Sequence, residues 1–240
     1  MVIYAYREVG GREETLEEHV HVGLMFLDKL YISKGYHHHI ARRLDIDEES
    51  SKIALKATYA LHDLGKAYRP FQDMILKGQG APGHEVLSAY LTLKCLNLDL
   101  SIKGGIAFSI LLHHHAMRVI IKAVSKVKNY RSAFTISNED LEYLSRLYSN
   151  LGLKVSLEDK IEPKAIINIL DKLTDLFKAS PKVWKEYTLA YLLLHPLVTC
   201  DIMAATCAAL KHKPKNIKDL NTILNKIPPW VKDYIVRYTF

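Results

Sequence analysis

The stretch Leu61-His62-Asp63-Leu64-Gly65-Lys66 decides how this chain folds and which chemistry it supports. It sets an imidazole beside a carboxylate at the point where an apolar helical run meets a glycine. Neighbouring residues on a helix point about 100° apart, so His62 and Asp63 converge best at a helix end, and Gly65 is expected to supply that end. An imidazole and a carboxylate held together can bind a divalent cation against a phosphate ester. The stretch therefore predicts a metal centre at the carboxyl end of a helix.

Helical periodicity dominates the sequence on both sides of this stretch, and strand-like segments are scarce. Val2 to Tyr6 favours a short extended start, and Thr15 is expected to begin a long helix that Gly35 closes. Asp47 or Ser50 is expected to cap the helix that leads into the decisive stretch. Further helices are predicted at His37 to Leu44, Pro70 to Ile75, His84 to Leu96, Lys103 to His115, Asn138 to Ser149, Pro163 to Lys178, Val183 to Leu210, Ile217 to Ile227 and Pro229 to Tyr238. The predicted fold class is all-α, a helical bundle.

The length of 240 residues allows a sizeable core in one large domain or two small ones. No internal repeat, low-complexity tract or clear boundary divides the chain, so we expect a single domain over residues 1–240. Residues 116–160 are more polar and basic, which predicts an insertion within that domain. The 33 basic and 26 acidic residues give a net charge of +7, which suits a polyanionic partner and equally a solvated lysine-rich surface.

Three features predict a cytoplasmic protein that does not enter a membrane. Cys95, Cys200 and Cys207 lack CxxC spacing and are expected to be reduced, mostly buried thiols. The amino terminus lacks the charged-then-apolar pattern of a signal peptide. The segment Tyr187 to Leu210 is long and apolar enough to raise the question of a membrane span. Asp201 interrupts it near the middle, where a lipid-facing carboxylate is costly, so we expect a core helix with one inward-facing acid.

More histidines and another aspartate extend the metal site along the chain. The additional candidate ligands are His19, His84, His113, His114 and Asp201. Phosphodiester hydrolysis needs activated water and neutralised phosphoryl oxygens, which one or two divalent cations about 3.5–4 Å apart supply. A carboxylate can bridge two cations with its two oxygens, and Asp63 is the natural candidate for that bridge. Lys66 would project close to the same cleft and bind a phosphate oxygen.

This ordered set of residues resembles the HD superfamily of metal-dependent phosphohydrolases, whose pattern is H…HD…D. The closer match is to the HD nuclease of type I CRISPR systems, the nuclease half of the CRISPR helicase–nuclease. The residues that carry the resemblance are Leu16-Glu17-Glu18-His19, His62-Asp63-Leu64-Gly65-Lys66 with the later Phe71-Gln72, His84 within Gly83-His84-Glu85-Val86-Leu87-Ser88-Ala89, His113-His114, and Asp201. They span most of residues 15–115 and the helix that carries Asp201. The resemblance implies an HD-domain helical bundle with an inserted region.

The same resemblance implies which side chains bind metal. One cation would take His19, His62, Asp63 and Asp201, and a second would share Asp63 and take His84, His113 and His114. The family's His-His pair is usually followed by Gly, whereas His115-Ala116 follows here, so the pair is either His113-His114 or His114-His115. Lys66 would orient the phosphate or stabilise its charge. The resemblance permits Mg, and imidazole-rich ligation suits Mn, Co, Ni or Fe.

The resemblance implies a metal-dependent nuclease that hydrolyses the phosphodiesters of single-stranded DNA, or of RNA, in CRISPR interference. Asp63 and Lys66 are its predicted catalytic residues. The sequence contains no P-loop Gly-Lys-Ser/Thr or helicase motif, so the expected partners are a separate helicase subunit, the effector complex and single-stranded nucleic acid. The alternative enzyme is an HD phosphohydrolase of nucleotides or cyclic dinucleotides. The alternative from another class is a helical binding subunit with a vestigial site.

Other histidines are expected to have structural positions. His21 faces away from His19, and His195 beside Pro196 is expected to be a core residue at a kink. The run His37-His38-His39 has no nearby acid in the sequence and is expected to form an exposed face.

Overall fold

The computed structural model describes residues 2–114, 124–125, 127–169 and 184–210. Its helices are α1 (Leu16–Leu30), α2 (Tyr36–Leu44), α3 (Glu48–Leu61), α4 (Phe71–Leu76), α5 (His84–Cys95), α6 (Leu100–Leu112), α7 (Asn138–Asn150) and α8 (Trp184–Ala209), with short 3-10 helices at Ile32–Lys34 and Leu64–Ala67. Its strands are β1 (Tyr4–Arg7), β2 (Glu13–Thr15), β3 (Phe134–Thr135) and β4 (Lys160–Ile161), which pair as β1–β2 and β3–β4. The prediction of an all-α fold is confirmed.

A β-hairpin precedes the first helix. β1 and β2 pair antiparallel, which confirms the extended start and adds a partner strand that was not predicted. The partner strand was missed because Glu13-Glu14-Thr15 is short and acidic, a composition typical of a helix N-terminus. The side-chain amide of Gln72 ties β1 to the core. Its Oε1 accepts from the Tyr4 N–H at 2.9 Å, and its Nε2 donates to the Tyr4 carbonyl at 3.1 Å.

The N-caps of α1 and α3 follow the sequence pattern. Thr15 caps α1 in a capping box: its hydroxyl accepts from the Glu18 N–H at 3.1 Å, and the Glu18 carboxylate accepts from the Thr15 N–H at 3.2 Å. Asp47, one of the two predicted candidates, caps α3 by accepting from the Ser50 N–H at 2.7 Å. These caps satisfy backbone donors that would otherwise have no partner at the start of each helix.

Gly35 does not close α1, so that prediction was wrong. The helix ends at Leu30, because Tyr31 leaves helical geometry and turns into the core, where it is 2% exposed. The 3-10 helix then follows, and Gly35 adopts φ 79° to direct the chain into α2. A residue with left-handed backbone geometry is still needed, but it lies between the 3-10 helix and α2 rather than at the end of α1.

Gly65 also has a different role from the predicted one. It lies inside the 3-10 helix after α3 and is not among the glycines with positive φ. A Cβ at this position would lie 2.3 Å from the carbonyl oxygen of His84 and 3.0 Å from the backbone nitrogen of Ser88. The Gly65 N–H donates to the Ser88 hydroxyl at 2.8 Å. The missing side chain therefore lets the start of α5 pack directly against the turn that follows α3.

α8 is the long apolar segment for which the sequence raised a membrane question. Within the described residues, Lys185–Ala209 is long and apolar enough to cross a membrane. This helix packs against α1, α2, α3 and α6, and 44% of its most apolar window is buried inside the protein. The hydroxyl of Ser109 on α6 donates to the Ala190 carbonyl at 2.7 Å. This packing supports the interpretation of α8 as a core helix.

Much of the predicted insertion packs onto the same core. Phe134, Leu144 and Tyr148 are all fully buried. The ring of Phe134 stacks on that of Phe71 in α4, with centroids 5.4 Å apart. α7 begins at the predicted residue and ends one residue later than expected. All three cysteines are free and buried, as predicted.

Some expectations lie outside the described residues. The helices predicted at 217–227 and 229–238 belong to this group, as does the part of the helix at 163–178 that follows residue 169. Residues 163–169 are helical. The division into a single domain with a basic insertion at 116–160 stays a prediction.

Replacing Gly65 with alanine is expected to lower the free energy of unfolding by about 1–3 kcal/mol, the usual cost of overpacking. The new Cβ would meet the backbone of His84, which cannot move away without displacing α5. Urea unfolding monitored by circular dichroism measures the change. Gly80→Ala is the matched control, because a Cβ there meets nothing within 4 Å. Equal stability of the two variants would contradict the close approach described here.

Candidate metal centre

Side chains from five regions of the chain meet at one place. They are His19, His62, Asp63, His84, His113, His114 and Asp201. Their donor atoms form overlapping groups in which all atoms lie within 4.8 Å of one another. The groups are Asp63–His84–His113–His114, His19–His62–Asp63 and His62–His113–Asp201. The fold therefore brings together every candidate ligand, including Asp201 at the end of a long interval. Their role as ligands stays a prediction.

Helix ends orient the two pairs of adjacent candidates. His62-Asp63 directly follows α3, and His113-His114 directly follows α6. The backbone leaves helical geometry at Asp63, with φ −104° and ψ 3°, so both side chains of the first pair can face the same point. His115 lies outside the described residues, which leaves the alternative pair His114-His115 untested.

Three of the imidazoles are held by backbone carbonyls. The Nδ1 atoms of His62, His84 and His113 bond to the carbonyls of Tyr59 at 2.6 Å, Ala81 at 2.6 Å and Ile110, respectively. A carbonyl can only accept a hydrogen bond, so each Nδ1 carries the proton and each Nε2 presents its lone pair to the cluster. Histidines that bind metals are usually held by such a bond from the other ring nitrogen.

The lone pairs that face the cluster are crowded. The Nε2 atoms of His19 and His62 are 3.4 Å apart, and those of His84 and His114 are 3.2 Å apart. The Nε2 of His113 is buried and has no hydrogen-bond partner among the described residues. Without a proton between them, two such nitrogens repel one another, and a buried acceptor without a partner is costly. A cation between them would relieve both problems, so the donor set fits divalent metal.

Carboxylates make one half of the cluster attractive to positive charge. Burial disfavours a charged His19, but the carboxylates of Asp201 and Glu14 outweigh it and raise the pKa of His19 to about 10. Burial also opposes ionisation of Asp201, yet its interactions with His19 and His62 hold its pKa well below the ordinary value. Asp201 Oδ1 lies 3.2 Å from His19 Nε2 and 3.5 Å from His62 Nε2.

The opposite half is rich in neutral imidazole. Burial, reinforced by neighbouring imidazoles, lowers the pKa of His113 well below its ordinary value. Burial and the nearby His84 lower the pKa of His114 to about 4. Both rings are therefore neutral at pH 7, the state in which histidine binds metal.

Asp63 lies between the two halves. Its Oδ1 is 2.9 Å from the Nε2 of His84, whereas its Oδ2 is 3.6 Å from His62 Nε2 and 3.7 Å from His19 Nε2. Burial opposes ionisation of this carboxyl, but Lys66 and the adjacent imidazoles hold its pKa well below the ordinary value. The two oxygens of one carboxylate thus face different groups of candidate ligands.

Lys66 contacts Asp63 rather than open space. Its Nζ lies 2.6 Å from Asp63 Oδ2, and its side chain is 16% exposed. Burial disfavours the charged ammonium, but Asp63 outweighs this and raises the pKa of Lys66. The lysine is therefore charged at the edge of the cluster, and its contact with a phosphate stays a prediction.

Sequence reasoning missed two residues next to the cluster. Glu14 accepts from His19 Nδ1 at 3.0 Å, and the Tyr59 hydroxyl donates to the His19 carbonyl at 3.3 Å. Tyr59 precedes His62 by three residues, so helical spacing could have indicated it. Glu14 reaches His19 from a strand, and no periodic pattern links the two.

Other histidines lie apart from the cluster. His38 Nδ1 is 2.8 Å from Glu48 Oε1, so the expectation that this run lacks a nearby acid was wrong. The pair is largely exposed and belongs to none of the candidate metal groups found among the described residues. His195 precedes Pro196 within α8 and is half-buried, and its Nδ1 lies 3.2 Å from the hydroxyl of the buried Tyr31, so it lies at the edge of the core rather than inside it.

Comparison with known proteins finds similar solved structures but no match by sequence. No protein-family model and no curated protein sequence matches the chain. Among solved structures, the CRISPR-associated Cas3 HD domain protein from Methanocaldococcus jannaschii superimposes with a TM-score of 0.57. The match covers 77% of this chain and 95% of the other, at 23% sequence identity. This chain has the HD-domain fold. At this identity the likeness establishes the HD-domain fold alone, and function has to be argued from the site.

Mn²⁺ is expected to raise the melting temperature of metal-free protein, because a ligand at about 100 times its Kd adds about 2.7 kcal/mol to the free energy of unfolding. In Asp63→Asn, an amide nitrogen replaces one oxygen of the shared carboxylate, so the rise should be lost. Thermal unfolding after chelation, with metal analysis, measures both. His38→Ala is the control, since His38 is a surface histidine with its own carboxylate partner. A full rise in Asp63→Asn would contradict the assignment.

Proposed function

We propose that this HD-domain protein is a divalent-metal-dependent nuclease that hydrolyses the phosphodiesters of single-stranded DNA, with RNA as a further substrate, in CRISPR interference. The observation that carries the proposal is the position of Asp63, whose two oxygens face two separate groups of imidazoles and carboxylate. A shared carboxylate of this kind is what a two-cation site for phosphoester hydrolysis requires.

The proposed ligands divide between two cations. His19, His62, Asp63 and Asp201 hold the first, and Asp63, His84, His113 and His114 hold the second. When bound, the cations supply Lewis-acid chemistry, acidifying water and neutralising charge on the phosphate. The backbone bonds to Nδ1 keep the imidazoles in the ligating tautomer. Lys66 provides a fixed positive charge at the edge of the cluster, where it can bind a phosphoryl oxygen.

The donor types favour particular metals. Three of the four proposed ligands of the second cation are imidazoles, whereas the first has two imidazoles and two carboxylates. Imidazole donors suit Fe, Co and Ni, and carboxylate donors suit Mn and Mg. We therefore propose Mn, Fe, Co or Ni as the effective metals, with Mg as a weaker substitute.

The biological setting is proposed from the fold and the charge. The solved structure with this fold is described as a CRISPR-associated Cas3 HD domain protein. The net charge of +7 suits a polyanionic substrate. We propose a CRISPR helicase subunit and an effector complex as partners, in line with the family that the ordered ligand residues resemble.

Purified full-length protein is expected to cut labelled single-stranded DNA when Mn²⁺ is added and not in the presence of chelator. Asp63→Asn should lower the cleavage rate by about a hundredfold or more, because several kcal/mol of charge stabilisation are lost. Gel electrophoresis of the products measures the rate. Release of phosphate or nucleoside from mononucleotides or cyclic dinucleotides, without strand cleavage, would replace this proposal with the alternative phosphohydrolase.

Lys66→Ala is expected to lower the rate of strand cleavage by about a hundredfold, the effect of removing one charged group that stabilises a transition state. The number of Mn²⁺ ions bound should stay the same, because Lys66 is not a proposed ligand. Single-turnover cleavage and metal analysis measure the two effects separately, with Lys34→Ala as a control lysine outside the site. Loss of bound Mn²⁺ together with activity would show that Lys66 acts only by supporting Asp63.

A further inference from the structure

Glu14 is a buried acid that is not among the proposed metal ligands. It is 5% exposed, and its Oε1 lies 3.0 Å from the Nδ1 of His19. We propose that Glu14 is a positioning residue that holds His19 in the orientation and tautomer needed to bind a cation. This inference rests on the proposed metal centre and adds the hairpin, an element outside the helical bundle, to it.

The backbone around Glu14 fixes where its side chain points. Glu14 pairs with Tyr6 across the hairpin, and the strand alternates so that Glu13 faces solvent while Glu14 faces the interior. The next residue, Thr15, is locked by the capping box at the start of α1. The strand therefore runs into the helix without a flexible joint. The carboxylate is held five residues before His19 and beside its ring.

The hydrogen bond that Glu14 accepts from His19 differs chemically from the bonds that hold the other imidazoles. His62, His84 and His113 donate to neutral backbone carbonyls, whereas His19 donates to a carboxylate. A carboxylate partner makes the opposite ring nitrogen a stronger donor to metal. The second oxygen of Glu14 lies 3.7 Å from the Arg12 guanidinium, so this buried carboxylate has a cation of its own.

A purely structural role is the competing explanation, since Glu14 also helps to hold the hairpin on α1. The two explanations differ in what happens when His19 is absent. If Glu14 acts through His19, removing the imidazole removes the effect of Glu14 on metal binding. If Glu14 only stabilises the hairpin, its effect remains in a variant without His19.

The test is calorimetric titration of Mn²⁺ into metal-free, full-length protein. Glu14→Gln keeps the size of the side chain and removes its charge, and it is expected to weaken binding of one ion by about 10- to 100-fold. Glu13→Gln is the matched control, because the adjacent Glu13 faces outward and bonds to Arg7 at 2.8 Å. In a His19→Ala background, Glu14→Gln should cause no further loss. The visible absorption of bound Co²⁺ should change in Glu14→Gln and not in Glu13→Gln.

Equal Mn²⁺ affinity in wild type and Glu14→Gln would overturn the inference, as would an undiminished effect of Glu14→Gln in the His19→Ala background. Urea unfolding of the metal-free variants shows whether Glu14→Gln lowers the free energy of unfolding. If it does, the titration is repeated with Glu14→Asp, which retains the charge. Wild-type protein that binds Mn²⁺ but does not cut DNA would remove the proposed nuclease function and leave the role of Glu14 intact. Wild-type protein that binds no Mn²⁺ would remove both.

Discussion

The burial of one carboxylate, that of Asp63, is the constraint on which the rest of the site depends. A carboxylate that is 1% exposed costs several kcal/mol unless opposite charge and hydrogen-bond donors surround it. Lys66 meets one oxygen from the following turn. The other oxygen has no hydrogen-bond partner among the described residues and lies 2.9 Å from the Nε2 of His84 at the start of α5, where a bound cation would offset its charge. Lys66 and His84 belong to different elements, so the charge of Asp63 constrains both the turn after α3 and the start of α5.

Close packing of backbone around that carboxylate makes the arrangement possible. The turn after α3 and the start of α5 approach more closely than any side chain at Gly65 would allow. Gln72 then joins this turn to the hairpin, since its Nε2 donates both to the Lys66 carbonyl at 2.9 Å and to the Tyr4 carbonyl at 3.1 Å. The hairpin that carries Glu14 and the turn that carries Lys66 are thus linked through one buried amide, which bonds to β1, the strand paired with that of Glu14.

Local features of the fold were predictable from the sequence, and contacts between distant segments were less so. The caps at Thr15 and Asp47 follow from residue type and spacing along a single helix, and both are present. The candidate ligands could be recognised by their order, because several histidines and aspartates in this order are typical of a metal site. The contact between Glu48 and His38 joins two helices, as the contact of Glu14 with His19 joins a strand to a helix, and neither leaves a periodic trace. The sequence indicated that a glycine is needed at position 65. It could not show why, because the reason is the close approach of the α5 backbone, which is distant along the chain.

Asp201 shows how the candidate site and the core depend on each other. It is the acid that made a membrane span unfavourable for the long apolar helix α8, and within the fold the same side chain turns toward His19 and His62. The helix that carries it packs on α1, α3 and α6, which are the elements that carry or lead into His19, His62 and His113. Apolar packing fixes the position of α8 along its axis. Because Asp201 moves with the helix, the same packing sets the distance between its carboxylate and the imidazoles. A cation bound there would in turn offset the repulsion among the donors, so core packing and ligand geometry stabilise the same arrangement.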